Sequence, residues 1–315
     1  MCESSKLFDI GKSNLTKRTL AEKFVVPPFS VFNTHQTYWK QRYLYWLSIG
    51  VGGTNGRVTS NNGLAYDNRR MDKWAKNNKD YEREFNGTSS FSPVLCEVMY
   101  KWFTIPDSNV YDPFAGGAVR GIMAAIMGLN YIGIDINPQQ VKSNYEAFSA
   151  FSERYDVAGN CQWIEGNSAY CEAWESADFI LTCPPYFNLE TYTDIDGDLS
   201  LAETYEEFIS YYTTIIKSCY NILKNDCFMV LVVSDVRDKK TTAYYGLVAD
   251  TIKIAQDAGF LFYNEIILYN DTGNLAIVSG DYMNRVRKVG RQHQNVLVFY
   301  KGDVKHIKEK FGEVR

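Results

Sequence analysis

Thr182, Cys183, Pro184, Pro185 and Tyr186 form the most chemically informative stretch of this 315-residue chain. They close an apolar run, DFILTC at 178–183, that reads as a buried strand. Two successive prolines fix φ and supply no N–H, so the carbonyls at the strand end are left as acceptors. Tyr186 adds a flat aromatic face. Acceptors beside such a face suit a planar ring that carries an amine, because the carbonyls can hold the N–H groups while the tyrosine stacks on the ring. The competing reading is that Tyr186 only packs the strand end. Cys183 contributes little as an acceptor, since sulfur accepts weakly and a thiol of ordinary pKa about 8.5 stays mostly protonated.

A second constellation lies upstream. VYDPFAGGAVRGIMAAIMGL ends a short strand at Asp112, turns through Phe114, Ala115, Gly116 and Gly117, and starts a helix near Ala118. Glycines there allow close approach of the backbone to a ligand, and the helix N-terminus adds partial positive charge. The turn lacks the full G-x-G-x-x-G fingerprint and has no Lys-Ser/Thr pair for a triphosphate. YIGIDINP then sets Asp135, with Ile136 beside it, at a strand end 23 positions after Asp112. An acidic side chain so placed can accept from both hydroxyls of a ribose; a helix cap is the alternative. In EGNSAY, Asn167 or Ser168 could hydrogen-bond an adenine edge, or could form a turn or cap.

These residues need a scaffold of alternating strands and helices. Strand patterns occur at 109–112, 131–136, 161–166, 178–183, 227–235, 260–269 and 295–301, and helical patterns at 118–128, 138–154, 203–224 and 244–258. Strands separated by single helices imply right-handed crossovers and a mostly parallel sheet. No clear helix separates the last two runs, so they are expected to pair antiparallel. The expected architecture is α/β and Rossmann-like, a seven-stranded, mostly parallel sheet with an antiparallel last strand. Residues 1–90 read as an irregular extension that either contacts a nucleic acid or packs on the core. Residues 91–303 form the catalytic domain and 304–315 a tail.

DPFAGG followed by GIDINP resembles the cofactor motifs of the amino-directed DNA methyltransferases. NGTSSFSPVLCEVMYKWF, which contains Ser90, is similar to the helix that closes over the methionine end of their cofactor. FVVPPFSVFNTHQTYWKQRYLYW at 24–46, NLETYTDIDGDLS, SDVRDKK at 234–240 and HQNVLVFYKG resemble a phage and prophage branch of that family, and the likeness covers most of 24–303. The family position at 183 usually holds Asp, Asn or Ser, and Cys183 departs from it. The resemblance implies S-adenosylmethionine as cofactor, bound by Asp112, Phe114, Ala115, Gly116, Gly117, Asp135, Ile136, Asn167, Ser168 and Ser90. It implies a catalytic motif of Cys183, Pro184, Pro185 and Tyr186. The reaction would be methylation of adenine N6, preferred here, or of cytosine N4 in double-stranded DNA. That amine's lone pair is delocalised into the ring, so acceptors holding its N–H groups would favour a pyramidal nitrogen. A base inside a duplex is unreachable and must flip out. Methylation of RNA or of a protein glutamine, a silent cofactor-binding module and cytosine C5 chemistry through Cys183 are the alternatives.

The totals fit this frame. A net charge of -4 does not announce a nucleic-acid binder but can hide a local basic face. Arg285, Arg287, Lys288 and Arg291 crowd seven positions, read as having no acidic neighbour, and are candidates for phosphate contact or a solvated loop. Seven scattered cysteines and three distant histidines make no metal pattern. With no apolar run able to span a membrane, a cytoplasmic enzyme of a bacterial or phage-infected cell is expected, within or outside a restriction-modification pair.

Overall fold

The computed structural model describes residues 17–52, 90–170, 176–187, 193, 195–270 and 275–314. Most of the Asn- and Gly-rich stretch at 50–63 and much of NLETYTDIDGDLS therefore lie outside the described residues.

Near-continuous apolar runs become central strands buried on both faces. In chain order the strands are β1 (Val31–Asn33), β2 (Asn109–Asp112), β3 (Asn130–Asp135), β4 (Asn160–Glu165), β5 (Ala177–Thr182), β6 (Leu223–Val233), β7 (Leu261–Tyr269) and β8 (His293–Lys301). They form one sheet in the order β1-β7-β8-β6-β5-β2-β3-β4. β8 runs antiparallel to both β6 and β7, and the remaining pairings are parallel. Side chains alternate between two cores. Phe228, Val230 and Val232 face one, whereas Met229, Leu231 and Val233 face the other.

Helices cover both faces. The main ones are α1 (Lys17–Phe24), α2 (Thr37–Ser48), α3 (Pro93–Phe103), α4 (Val119–Ile126), α5 (Pro138–Ser152), α6 (Tyr205–Ile222), α7 (Leu247–Ala258), α8 (Leu275–Val286) and α9 (Ile307–Phe311). Their starts follow capping chemistry. Asn137 Oδ1 accepts from the Gln139 and Gln140 N–H groups, and Pro138 occupies the first turn of α5. Thr204 caps α6 through the Glu207 N–H.

Three expectations need correction. The sheet has eight strands, not seven, because Val31–Asn33 of the supposedly irregular extension adds a parallel edge strand to β7. The extension also supplies α1 and α2, and on α2 Trp39 and Trp46 are buried. A helix, α8, does separate β7 from β8. The antiparallel pairing holds nonetheless, from Leu261↔Tyr300 to Tyr269↔His293.

One buried carboxylate fastens α2 to α3. Glu97 of α3 receives Arg42 Nε at 2.5 Å and Trp46 Nε1 at 3.0 Å, and a second Arg42 nitrogen meets its other oxygen. That bond to Glu97 raises the Arg42 pKa against the pull of burial. Among residues 304–314, Phe311 lies 5.2 Å from the Phe228 ring, so this segment docks on the sheet. Glu97→Ala is expected to cost about 2 kcal/mol in a denaturant melt. The loss falls below the about 3–5 kcal/mol of a fully buried pair because the Arg42 side chain stays 37% exposed.

Candidate active site

The chain order β2-β3-β4 runs one way across the sheet, and β5 then returns to the other side of β2. The crevice at the carboxyl ends of β2 and β5 is thus the topological switch point, where open α/β sheets bind ligands. Both constellations read from the sequence end there.

Asp112, fully buried, ties them together. Its carboxylate accepts from Arg120 Nε at 2.5 Å, Thr182 Oγ1 at 2.6 Å, Tyr131 Oη at 2.8 Å and the Phe114 N–H at 3.1 Å. Arg120 reaches the Phe114 and Ala115 carbonyls at 2.6 and 2.9 Å, and its guanidinium lies 4.6 Å from the Phe91 ring. Burial pulls the Arg120 pKa down, but the charge of Asp112, with smaller contributions from Tyr131, Cys183 and the bond to Asp112, raises it on balance, so the guanidinium stays charged. Asp112 therefore shapes the glycine loop from beneath it.

Gly116 adopts φ +50°, with open space where a Cβ would stand. Its N–H donates to Asp135 Oδ2 at 2.8 Å, its carbonyl accepts from Asn144 Nδ2 at 2.8 Å, and Asp135 Oδ1 takes the Asn137 N–H at 2.9 Å. The two carboxylate oxygens thus tie the glycine loop to the start of α5. Ser168 Oγ donates to the Pro113 carbonyl, fixing the turn after β4 to the same loop. Asn167 approaches Gly197 so closely that a Cβ there would meet its amide at 2.5 Å, with Ile136 at 3.5 Å. Ser90, bonded to the Phe91 carbonyl at 3.5 Å, adjoins the ring that covers Arg120. The glycine loop, Asp135, Ile136, Asn167 and Ser168 thus converge, and Ser90 lies next to the Phe91–Arg120 contact on that loop.

Beyond Thr182 the chain passes Cys183, buried Pro184 and half-buried Pro185 to Tyr186. The Tyr186 hydroxyl accepts from Gln294 Nε2 at 2.8 Å, lies 3.4 Å from the Cys183 sulfur, and reaches the Val232 carbonyl at 3.4 Å. The ring is held by β6 and β8 together. Gln294 and Arg120, and the bond from Thr182 to Asp112, escaped sequence reading because they depend on contacts 70 or more positions apart, or on one turn of a helix that also reads as apolar. A separate cavity of about 450 Å³ opens next to Phe187, lined by Tyr205, Asp238, Lys239, Lys240 and Tyr245 among others; it is a neighbour of the switch-point crevice.

The basic segment is less free than its sequence suggests. Arg285 pairs with Asp281 at 2.9 Å, which corrects the absence of an acidic neighbour. Arg287 donates to the Met283 carbonyl at 3.2 Å, and Lys288 lies 4.8 Å from the Tyr282 ring. Arg291 donates to Asn295 Oδ1 at 2.6 Å and stands 5.7 Å from the Tyr244 ring, over which Arg237 lies at 3.7 Å. Among the described residues no cluster of metal-binding side chains occurs, and no helix is long and apolar enough to cross a membrane.

A doubly wound sheet with a reversed last strand, and a glycine loop paired with an acidic strand end, define a Rossmann-like methyltransferase. A family model described as DNA methylase matches residues 17–146 and 177–314, and the chain belongs to that family. Its cofactor is S-adenosylmethionine, which supplies an electrophilic methyl group on a sulfonium. The open face at Gly116, beside the Asp135 carboxylate that holds its N–H, fits a ligand lying against the loop. No curated protein matches the chain. Among solved structures, a methyltransferase from Pyrococcus furiosus is 13% identical with a TM-score of 0.46, covering 75% of this chain and 100% of its own. TrmN from Thermus thermophilus is 14% identical at 0.44 over 67% of this chain, which spans about half (49%) of TrmN. The N-methyltransferase NodS from Bradyrhizobium japonicum, in complex with S-adenosyl-l-homocysteine, is 12% identical at 0.38 over 62% of this chain and 79% of its own.

Asp135→Ala should weaken cofactor binding at least about tenfold in calorimetry, the scale of losing one or two charge-assisted hydrogen bonds. An unchanged dissociation constant would remove Asp135 from the ribose site.

Proposed function

We propose that this methylase modifies the exocyclic amine of a flipped-out base in double-stranded DNA, adenine N6 in preference to cytosine N4. The observation that carries the reading is the Thr182–Asp112 hydrogen bond, which joins the catalytic strand end directly to the base of the cofactor loop. A ring stacked on Tyr186 would then present its amine to the Pro184 carbonyl within reach of the methyl donor. Tyr186 suits this work because its hydroxyl is already held by Gln294 and its ring needs no reordering when a base arrives.

On the DNA side, the exposed end of α8 and the loop after it bring Arg285, Arg287 and Lys288 to a surface that phosphates can reach. Arg291 and Arg237, flanking Tyr244, extend the positive charge towards the loop after β6. These contacts would position the duplex without reading its sequence. Membership in a restriction-modification pair, a phage origin and a cytoplasmic location fit a DNA-modifying enzyme of this kind and belong to the same proposal. Cys183 serves no covalent role here; C5 chemistry would trap it on DNA.

Labelled methyl from S-adenosylmethionine should reach duplex DNA and neither tRNA nor protein. Tyr186→Ala should lower that transfer by about a hundredfold while the thermal melt stays near that of the wild type, as expected for a group that orients the reacting base. Preferred labelling of tRNA or protein would overturn the reading, and full activity in the variant would take Tyr186 out of the site.

A further inference from the structure

Asp235 lies two residues beyond β6, the parallel neighbour of β5. Thr182 pairs with Leu231, so the Cys183–Pro184 and Val232–Asp235 segments leave the sheet side by side. The Tyr186 hydroxyl, 3.4 Å from the Val232 carbonyl, bridges the two strand ends. At this position the Asp235 Oδ1 atom is buried and has no hydrogen-bond partner among the described residues. A buried acceptor left without a donor costs about 1–3 kcal/mol, and more when it is charged.

Neighbouring donors are directed elsewhere. The Tyr205 hydroxyl donates to Asp250 Oδ2 at 2.6 Å. Burial, then that bond, then the charges of Asp250 and Asp235 hold the Tyr205 phenol far above its ordinary pKa. Arg237, two residues on, donates to the Thr242 carbonyl at 2.8 Å and lies over Tyr244. Meanwhile the motif position that should accept from the target amine holds a thiol, a weak acceptor, already 3.4 Å from the Tyr186 hydroxyl. One strand end is short of an acceptor, and the adjacent one has an acceptor to spare.

We infer that the Asp235 carboxylate accepts an N–H of the target amine, with the Pro184 carbonyl taking the other, and is the catalytic acceptor that Cys183 cannot be. This assignment rests on the amine-methylation reading given above. The nitrogen lone pair forms the new N–C bond as it displaces the sulfonium, whose sulfur keeps the electron pair of the broken C–S bond. The surplus proton on the alkylated nitrogen passes along the hydrogen bond to the carboxylate and then to water. An orphaned acceptor in the free protein is tolerated because it is satisfied when the base enters.

The test uses the full chain, labelled S-adenosylmethionine and genomic DNA from a methylation-deficient strain, comparing the wild type with Asp235→Asn and Asp235→Leu. Both variants should lose about a hundredfold or more in transfer rate at saturating DNA, the scale seen when one preorganised polar contact to a reacting group is removed. Cofactor affinity by calorimetry should stay within about twofold, since the assignment sets Asp235 against the base and not against the donor. The melting temperature of the Leu variant should equal or exceed that of the wild type, because the unsatisfied acceptor is gone. Transfer within about threefold of the wild type in either variant would overturn the role of Asp235 alone. So would a melting-temperature drop large enough to explain the lost activity by unfolding. A wild type that binds cofactor but transfers no methyl to DNA would overturn the amine-methylation reading, and this assignment with it.

Discussion

The ion pair between Asp112 and Arg120 is the constraint on which the rest of the site depends. Both side chains are buried, at 0% and 5% exposure. Removing two charges from water is costly, and the cost is offset only by near-complete hydrogen bonding. Asp112 achieves that by gathering donors from α4, β3, β5 and the loop after β2. Arg120 completes it by taking two loop carbonyls. The shape of the glycine loop and the position of Thr182 are therefore consequences of the same carboxylate. Breaking either partner would leave a buried charge unpaired, which is why no conservative replacement at 112 or 120 is expected to be neutral.

From that hub the chemistry divides along the two strands that flank β2. Towards β3, Asp135 holds the Gly116 N–H and the Asn137 N–H, and so fixes the glycine loop to the start of α5. Towards β5, Thr182 leads into the proline pair and Tyr186. The reversed direction of β8 matters here, because it brings Gln294 near the start of β8 beside the carboxyl ends of β5 and β6. A wholly parallel sheet would put a strand's carboxyl end there instead. The extension contributes from the far side: β1 extends the sheet edge, and Glu97 fixes α2 to the helix that begins just after Ser90.

Much of this was legible in the sequence, for identifiable reasons. Central strands such as CFMVLVVSD are apolar on both faces, so length and flanking polar residues located them. The glycine turn, Asp135 and the proline pair have local signatures that need no tertiary information. The short strand at Val31–Asn33 was missed because three residues carry no period and its pairing partner lies over 200 positions away. The helix at Leu275–Val286 was missed because Gly280 and a weakly amphipathic pattern obscured it. Among site residues, Asp112 was marked by the family resemblance, whereas the four internal partners that engage its oxygens beneath the loop are tertiary contacts that no local signature carries. Asp235 stood inside SDVRDKK as one charge among several. The unsatisfied state of one of its oxygens is a property of burial, which composition cannot express.

The most direct measurement of the central claim is nucleoside mass spectrometry on DNA from a methylation-free host expressing the chain. The account predicts a new N-methylated base, N6-methyladenine ahead of N4-methylcytosine, and its disappearance when Arg120 is replaced. Appearance of 5-methylcytosine, or of no modified base from a folded protein that binds S-adenosylmethionine, would contradict it.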